Sequence, residues 1–249
     1  MPPAALAPDA RPPEGEIALD AAESHHAVRV LRLREGEPLT VLNGAGDVAR
    51  GRLLRADPRR ATVAVESWTA VPRPPVHLTL VQALPKGERL EWILQKAVEL
   101  GAGAVNLVQA ERSIPRWPRG GGDKLDRARE ILRAAGKQSG QAWLPALGFH
   151  TSFAAWAAAC PPGRALWLAD TAPGAPPLRT VLRARPPPSA LAVCIGPEGD
   201  FSPTERAVLQ AAGATSVSLG PLILRTETAA LKVLSALAYE WLDGAPASV

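Results

Sequence analysis

Aromatic residues are scarce in this 249-residue chain, with 3 Phe, 1 Tyr and 7 Trp in a sequence that is 47% hydrophobic. A core drawn from that composition must be packed from Ala, Leu and Val. Cysteine is nearly absent. Cys160 and Cys194 stand far apart in different apolar segments and form no C-x-x-C pair. That argues against a disulfide framework and for buried thiols in a reducing compartment. His25, His26, His77 and His150 lack metal-ligand spacing, so no metal is expected. No apolar run approaches membrane-spanning length, so no membrane partner is expected. Met1 to Pro13 has neither the basic nor the apolar region of a secretory signal. The expectation is a cytoplasmic protein whose first residues form a loosely ordered Pro/Ala arm.

Lys and Arg number 28 against 24 Asp and Glu, a net charge of +4. A mild positive balance suits an anionic partner such as RNA, because phosphate contacts need Lys and Arg, but by itself it decides nothing. Two composition regimes meet at Val71-Pro72-Arg73-Pro74-Pro75, a cluster that can continue neither strand nor helix. It predicts one domain over 1–72 and a second over 73–249.

Before the cluster the segments are short and strand-like: Pro38 to Leu42, Val48 to Arg55 and Ala61 to Trp68. Asn43-Gly44 and Gly46-Asp47 supply turn chemistry between the first two, and a small barrel is the natural closure. One helical stretch is expected between Ala21 and Leu33. Arg29, Arg32 and Arg34 emerge beside it, either as a solvated basic face or as a phosphate-contacting surface. After the cluster, apolar strands alternate with amphipathic helices. The strands are Val76 to Leu84, Ala104 to Gln109, Arg164 to Asp170 and Ala190 to Ile195. The helices are Glu88 to Leu100, ended by Gly101, then Lys124 to Gln138 capped by Asp123, and an Ala-rich helix capped by Ser152. That alternation predicts an α/β domain with a parallel sheet covered on both faces.

The chemistry concentrates between Leu191 and Trp241. The strand ending at Ile195 meets Gly196-Pro197-Glu198-Gly199-Asp200-Phe201, and then Ser202-Pro203-Thr204-Glu205 opens a helix with a capping box. A second strand, Thr215 to Leu219, meets Gly220-Pro221-Leu222-Ile223-Leu224-Arg225-Thr226-Glu227-Thr228 and a helix from Ala229 to Leu242. Two Gly-Pro loops thus leave the same edge of the sheet, and the strand end Trp167-Leu168-Ala169-Asp170 can join them. Ligands of open parallel sheets bind at such strand ends, and glycine lets a backbone approach them closely. A nucleotide hydrolase fits poorly. Gly136-Lys137-Gln138-Ser139 is not a Walker A loop, and no nucleophile elbow is present.

Ile195-Gly196-Pro197-Glu198-Gly199 with Phe201-Ser202 and Glu205, then Leu219-Gly220 and Ile223-Leu224-Arg225-Thr226-Glu227-Thr228-Ala229, resembles the C-terminal signature of the RsmE family. Upstream, Lys86-Gly87-Glu88-Arg89-Leu90-Glu91, Gln95 to Gly101, Glu111-Arg112-Ser113, Gln138-Ser139-Gly140 and Val30-Leu31-Arg32 also resemble that family. The resemblance runs from about Ala18 onward. It implies a PUA-like barrel followed by a SPOUT domain with a C-terminal trefoil knot. It also implies a homodimer with its active site at the subunit interface, and methylation by S-adenosylmethionine of N3 of a uridine in 16S rRNA of the small ribosomal subunit. A SPOUT enzyme acting on another RNA, or a non-catalytic RNA-binding paralogue, are the alternatives. The chain departs from the family pattern at Lys137, Gln141, Leu222 and Asp200, where Glu, Arg, a basic residue and a second Gly are usual.

On that resemblance the cofactor is held by Leu168, Ala169, Ile195, Gly196, Gly199, Leu219, Gly220, Leu224, Thr228 and Ala229. Ile195, Leu219 and Leu224 read equally as core. Arg225 is the candidate to stabilise the uridine anion or orient the cofactor, since a guanidinium keeps its charge, with a salt bridge to Glu227 as the alternative. Glu198 is either a proton acceptor or a cap on its own turn, and no general base is singled out. RNA contacts are expected from Arg29, Arg32, Arg34, Lys86 and Arg112, with Arg50 and Arg52 beside them.

Overall fold

The computed structural model describes residues 2–13, 15–184 and 186–242. It divides into two compact units. Of the described residues, one holds those up to Arg73 with Arg133–Leu144, and the other Pro74–Leu132 with those from Pro145 to Leu242.

The first unit holds strands β1 (Ala4–Leu6), β2 (Glu16–Ala18), β3 (Pro38–Leu42), β4 (Asp47–Arg55) and β5 (Thr62–Ala70), in the order β1-β3-β4-β5-β2. All neighbours pair antiparallel except β1, which lies parallel to β3. Among the described residues no ladder joins β1 to β2. Side chains from both edges close the core instead, as Ala5 and Ile17 meet Leu39, Val41, Leu53 and Val63. The N-terminal arm is therefore not loose at Ala4–Leu6, where all three residues are buried on β3. Three small apolar residues carry no readable period, so the strand exists only through docking. Where β4 crosses β5 the register slips at Arg50/Gly51. A Cβ on Gly51 would sit 2.1 Å from the Ala64 carbonyl oxygen, so only glycine permits that crossing.

The single helix expected between Ala21 and Leu33 is broken. Helix α1 (Ala21–His25) is capped by Asp20, whose carboxylate accepts the Glu23 N–H at 2.8 Å. A π-helical turn follows over His26–Val30, and the chain leaves it at Arg32 with φ 56. Arg29, Arg32 and Arg34 are all exposed there. Lys137, which departs from the family pattern, meets Glu23 at 2.7 Å, so the exchange of charge has a complementary partner.

The second unit is a six-stranded sheet of β6 (His77–Ala83), β7 (Ala104–Val108), β8 (Ala146–His150), β9 (Ala165–Ala169), β10 (Ala190–Ile195) and β11 (Thr215–Val217). Every neighbouring pair is parallel, in the order β11-β9-β10-β6-β7-β8. The chain runs outward from β6 to β8 and then returns on the other side of β6, so the direction of winding switches between β6 and β10. The helices are α2 (Arg89–Glu99), α3 (Gly122–Ser139), whose residues from Arg133 belong to the first unit, α4 (Phe153–Ala159), α5 (Leu178–Ala184), α6 (Pro203–Ala211) and α7 (Thr226–Trp241). One face of the sheet buries Val81, Leu166, Leu168, Ala192 and Cys194 against Phe153, Trp156 and Leu209 of α4 and α6. Burial pushes the Cys194 thiol well above its ordinary pKa, which makes it inert core. Helices α2 and α7 pack together.

The starts of α3 and α7 differ from the sequence reading. Asp123 lies inside the first turn of α3 rather than capping it. Helix α7 begins at Thr226, three residues before Ala229, with Arg225 as its N-cap residue. No helix among the described residues is long and apolar enough to cross a membrane.

Candidate functional site

The carboxyl ends of β9, β10 and β11 deliver three loops to one cavity of about 560 Å³. That lies within the ~300–1,000 Å³ usual for small-molecule pockets. Its walls come from Ala169, Asp170 and Thr171, from Ile195 through Asp200, and from Ser218 through Thr226 with Ala229. Glycine keeps the wall from crowding its neighbours: a Cβ on Gly196 would lie 3.1 Å from the Phe201 ring, and one on Gly199 3.2 Å from Arg112. Gly220 sits at φ 126, a conformation that favours glycine.

The loop after β10 is fixed from several sides. Ser202 and Glu205 complete the capping box of α6 at 3.1 and 2.9 Å, and the other Glu205 oxygen accepts the Glu111 N–H at 2.9 Å. Arg112 donates to the Gly199 carbonyl at 2.8 Å. The buried Thr226 hydroxyl donates to the Gly196 carbonyl at 2.7 Å and accepts from Gln82 Nε2 at 2.9 Å. This ties the start of α7 to the loop after β10 through the end of β6.

Two arginines each bridge a pair of carboxylates. Arg89 pairs with Glu198 and, at 3.4 Å, with Glu227. Arg206 pairs with Asp170 and, at 2.5 Å, with Asp200. Burial favours the protonated form of Glu198, but hydrogen bonds from backbone N–H groups, including that of Lys86, and the Arg89 guanidinium outweigh it. The carboxyl is held below its ordinary range. Burial, aided by the nearby Arg112 charge, lowers the Arg206 pKa.

Of the ten residues expected to hold a cofactor, Ala169, Ile195, Gly196, Gly199, Leu219, Gly220, Leu224 and Ala229 line this cavity. Leu168 does not. It points the other way from β9 into the core beneath α4, as strand alternation requires of the residue before Ala169. Thr228 is exposed on α7 away from the cavity, because the early helix start rotates it off the wall. Glu198 and Arg225 both line the cavity. Arg225 is exposed and makes no ion pair among the described residues; Glu227, its expected alternative partner, pairs with Arg89 instead. The Lys86 side chain is exposed. Arg112 is committed to Gly199. In the first unit Arg29, Arg32, Arg34 and Arg50 are exposed, and Arg52 bonds Glu66 at 2.8 Å.

Sequence reasoning did not assign roles to Gln82, Arg89, Asp170, Thr226 and Arg206. Arg89 and Thr226 stand inside the resembling motifs, yet Arg89 meets Glu198 109 positions away, and Thr226 meets Gln82 144 positions away and Gly196 30 positions away. No spacing rule reaches that far.

A model described as an RNA methyltransferase domain matches residues 72–238, and one described as an RNA methyltransferase PUA domain matches residues 19–66. The chain is 38% identical over 245 residues to ribosomal RNA small subunit methyltransferase E of Mycobacterium bovis, covering 92% of this chain and 88% of that one. It is 30% identical to the Bacillus subtilis protein of the same name, covering 90% of each. Among solved structures, the Neisseria gonorrhoeae ribosomal RNA small subunit methyltransferase E bound to S-adenosyl methionine superposes with a TM-score of 0.87 at 28% identity, covering 97% of this chain and 98% of that one. A Legionella pneumophila methyltransferase in complex with the same cofactor gives 0.85 at 29%, covering 96% and 98%. On family models that span most of the chain and relatives that match it nearly end to end, this chain belongs to the ribosomal RNA small subunit methyltransferase E family.

Proposed function

We propose that this chain transfers a methyl group from S-adenosylmethionine to N3 of a uridine in 16S rRNA of the small ribosomal subunit. The observation that carries this reading is the glycine-walled cavity at three parallel strand ends with Arg225, which has no ion pair among the described residues, on its rim. Relatives that bear the family name, and neighbours solved with the cofactor, support it.

The cavity fits that cofactor. Backbone groups at Gly196, Gly199 and Gly220 can approach its polar edges, while Ile195, Leu219 and Leu224 offer flat apolar wall to an adenine. When bound, S-adenosylmethionine supplies an electrophilic methyl carbon. The residues around it must orient the base and stabilise charge. Uridine N3 attacks only as its proton leaves, and negative charge then spreads over the imide. Arg225 is placed to meet that charge, and its guanidinium needs no proton of its own to do so.

Glu198 does not suit the role of proton acceptor. Its Oε1 accepts both the Lys86 N–H and the Arg89 guanidinium, and its lowered pKa makes it a weak base. Asp170 and Asp200, the other carboxylates on the cavity wall, are both bound to Arg206. Because each carboxylate on the described cavity wall is paired with an arginine, we assign the N3 proton to solvent. Glu198 becomes an anchor for its loop.

We further propose a homodimer. Leu222 and Ile223 are 76% and 91% exposed at the cavity rim, and Tyr239 and Trp92 expose large surface on α7 and α2. Such residues suit a partner subunit. The C-terminal segment is proposed to form a trefoil knot, as the family resemblance implies. Arg29, Arg32, Arg34 and Lys86 are proposed to contact RNA phosphates, in the cytoplasm where small subunits assemble. Arg112 is a loop clamp first.

Small subunits lacking the modification, incubated with labelled S-adenosylmethionine, test this reading. Nucleoside mass spectrometry should find N3-methyluridine, lost in Arg225→Ala and retained in Arg59→Ala. Label in any other nucleoside would overturn the uridine assignment.

A further inference from the structure

Asp200 has φ 61, in the left-handed region that glycine occupies most readily. Its two neighbours in the loop, Gly199 and Phe201, have no such angle, so the strain falls on a residue with a side chain. That side chain is fully used. One carboxylate oxygen accepts the Phe201 N–H at 2.8 Å. The other accepts the Thr171 hydroxyl at 2.8 Å and the Arg206 guanidinium at 2.5 Å. Arg206 continues to Asp170, which is 5% exposed and itself accepts the Ala172 N–H at 2.9 Å and the Ser216 hydroxyl at 2.8 Å.

These contacts form one connected path. It starts at the loop after β10, crosses to the loop after β9 at Thr171 and Asp170, and ends on β11 at Ser216. Strands β9 and β10 pair through the sheet only as far as Leu168 and Cys194. Beyond that point, where Asp170, Thr171, Gly199 and Asp200 line the cavity, side chains alone hold the two loops together.

We propose that Asp200 is a positioning residue for the cofactor cavity: its carboxylate, through Thr171, Arg206 and Asp170, fixes the separation of the loops that follow β9 and β10. The proposal rests on the cofactor reading above. It explains why a strained aspartate stands where glycine would relieve the backbone. The carboxylate makes a link that glycine cannot.

The test compares Asp200→Gly and Asp200→Asn with the full-length protein, using S-adenosylmethionine titrated by calorimetry and thermal melting without cofactor. Glycine relieves the backbone, so a purely local backbone role predicts unchanged or tighter binding. Positioning predicts that Asp200→Gly melts at or above the wild-type temperature yet binds about 10-fold more weakly. Asparagine tolerates the left-handed angle; its oxygen still accepts the Phe201 N–H and its NH2 can donate to the Thr171 hydroxyl, with only the Arg206 link lost, so Asp200→Asn should recover to about 3-fold of wild type. Wild-type affinity in Asp200→Gly overturns the proposal. So does a loss of affinity matched by a lower melting temperature, which would make Asp200 a folding residue. If the wild-type protein itself does not bind S-adenosylmethionine, the cofactor reading falls first, and the two failures stay distinct.

Discussion

The loops after β10 and β11 look alike in sequence, each opening with Gly-Pro at a strand end and closing on a helix, yet they are built differently. The first is held by a capping box, by Arg112 on its carbonyl, by Thr226 from α7, and by Arg89 and Arg206 on its carboxylates. The second exposes Leu222, Ile223 and Arg225, and Arg225 makes no ion pair among the described residues. A loop that satisfies every charge is suited to hold a shape. A loop that leaves an arginine and two large apolar residues in solvent is suited to meet something outside it. Both loops wall the cavity, but the first is locked in place while the second also presents charge and apolar surface outward.

The strongest way to break that comparison is Arg225→Ala. It should lower single-turnover methyl transfer by about 10²–10³-fold, the scale of a lost oxyanion donor, while cofactor affinity measured by calorimetry changes little. An equal loss of both would place Arg225 in cofactor binding and erase the contrast.

Thr226→Val comes next, because Thr226 belongs to the second loop's helix but bonds into the first loop. The change strands the buried Gly196 carbonyl and the Gln82 amide, which costs about 1–3 kcal/mol. Melting should fall by several degrees, at roughly 2–4 °C per kcal/mol for a chain of this size, and cofactor affinity should fall with it. A neutral result would mean the two loops are held independently.

Ile223→Asp probes the presenting loop. Light scattering should show the proposed dimer shifted toward monomer, with cofactor binding by the isolated protomer intact. An unchanged dimer would move the interface away from this rim.

The smallest effect concerns pH. Glu198 has its folded pKa below the ordinary value, so its stabilising link to Arg89 is complete above the ordinary carboxylate range. It is lost as pH falls through the folded pKa, because the unfolded chain then binds the proton more readily. Melting temperature should therefore drop less between neutral and acid pH in Glu198→Gln than in the wild type. Identical pH profiles would show the link to be fully screened, which its partial exposure makes a stringent test.

Strong local signals carried much of the fold. The period of α2, the capping box at Ser202, the apolar run of β10 and the Gly-Pro loops are properties of a few adjacent residues, and they appear where the pattern puts them. Ala4–Leu6 was unreadable because three small residues make a strand only against β3. The start of α7 was placed late for a related reason. Thr226 enters the helix with its hydroxyl on Gly196, a partner 30 positions away, and Arg225 caps without a side-chain bond that could announce it.

The sequence by itself determined the alternation of strands and helices, the loops at the sheet edge and the glycines within them, because these depend on periodicity and local backbone freedom. Only the tertiary structure decided which charges are free. Glu198, Asp170, Asp200 and Arg112 are ordinary charged residues in the sequence and spoken for in the fold, while Arg225 has no ion-pair partner among the described residues. Pairing of charges is a matter of distance in space, and residues as far apart as Arg89 and Glu198 meet only when β6 and β10 lie side by side in the sheet.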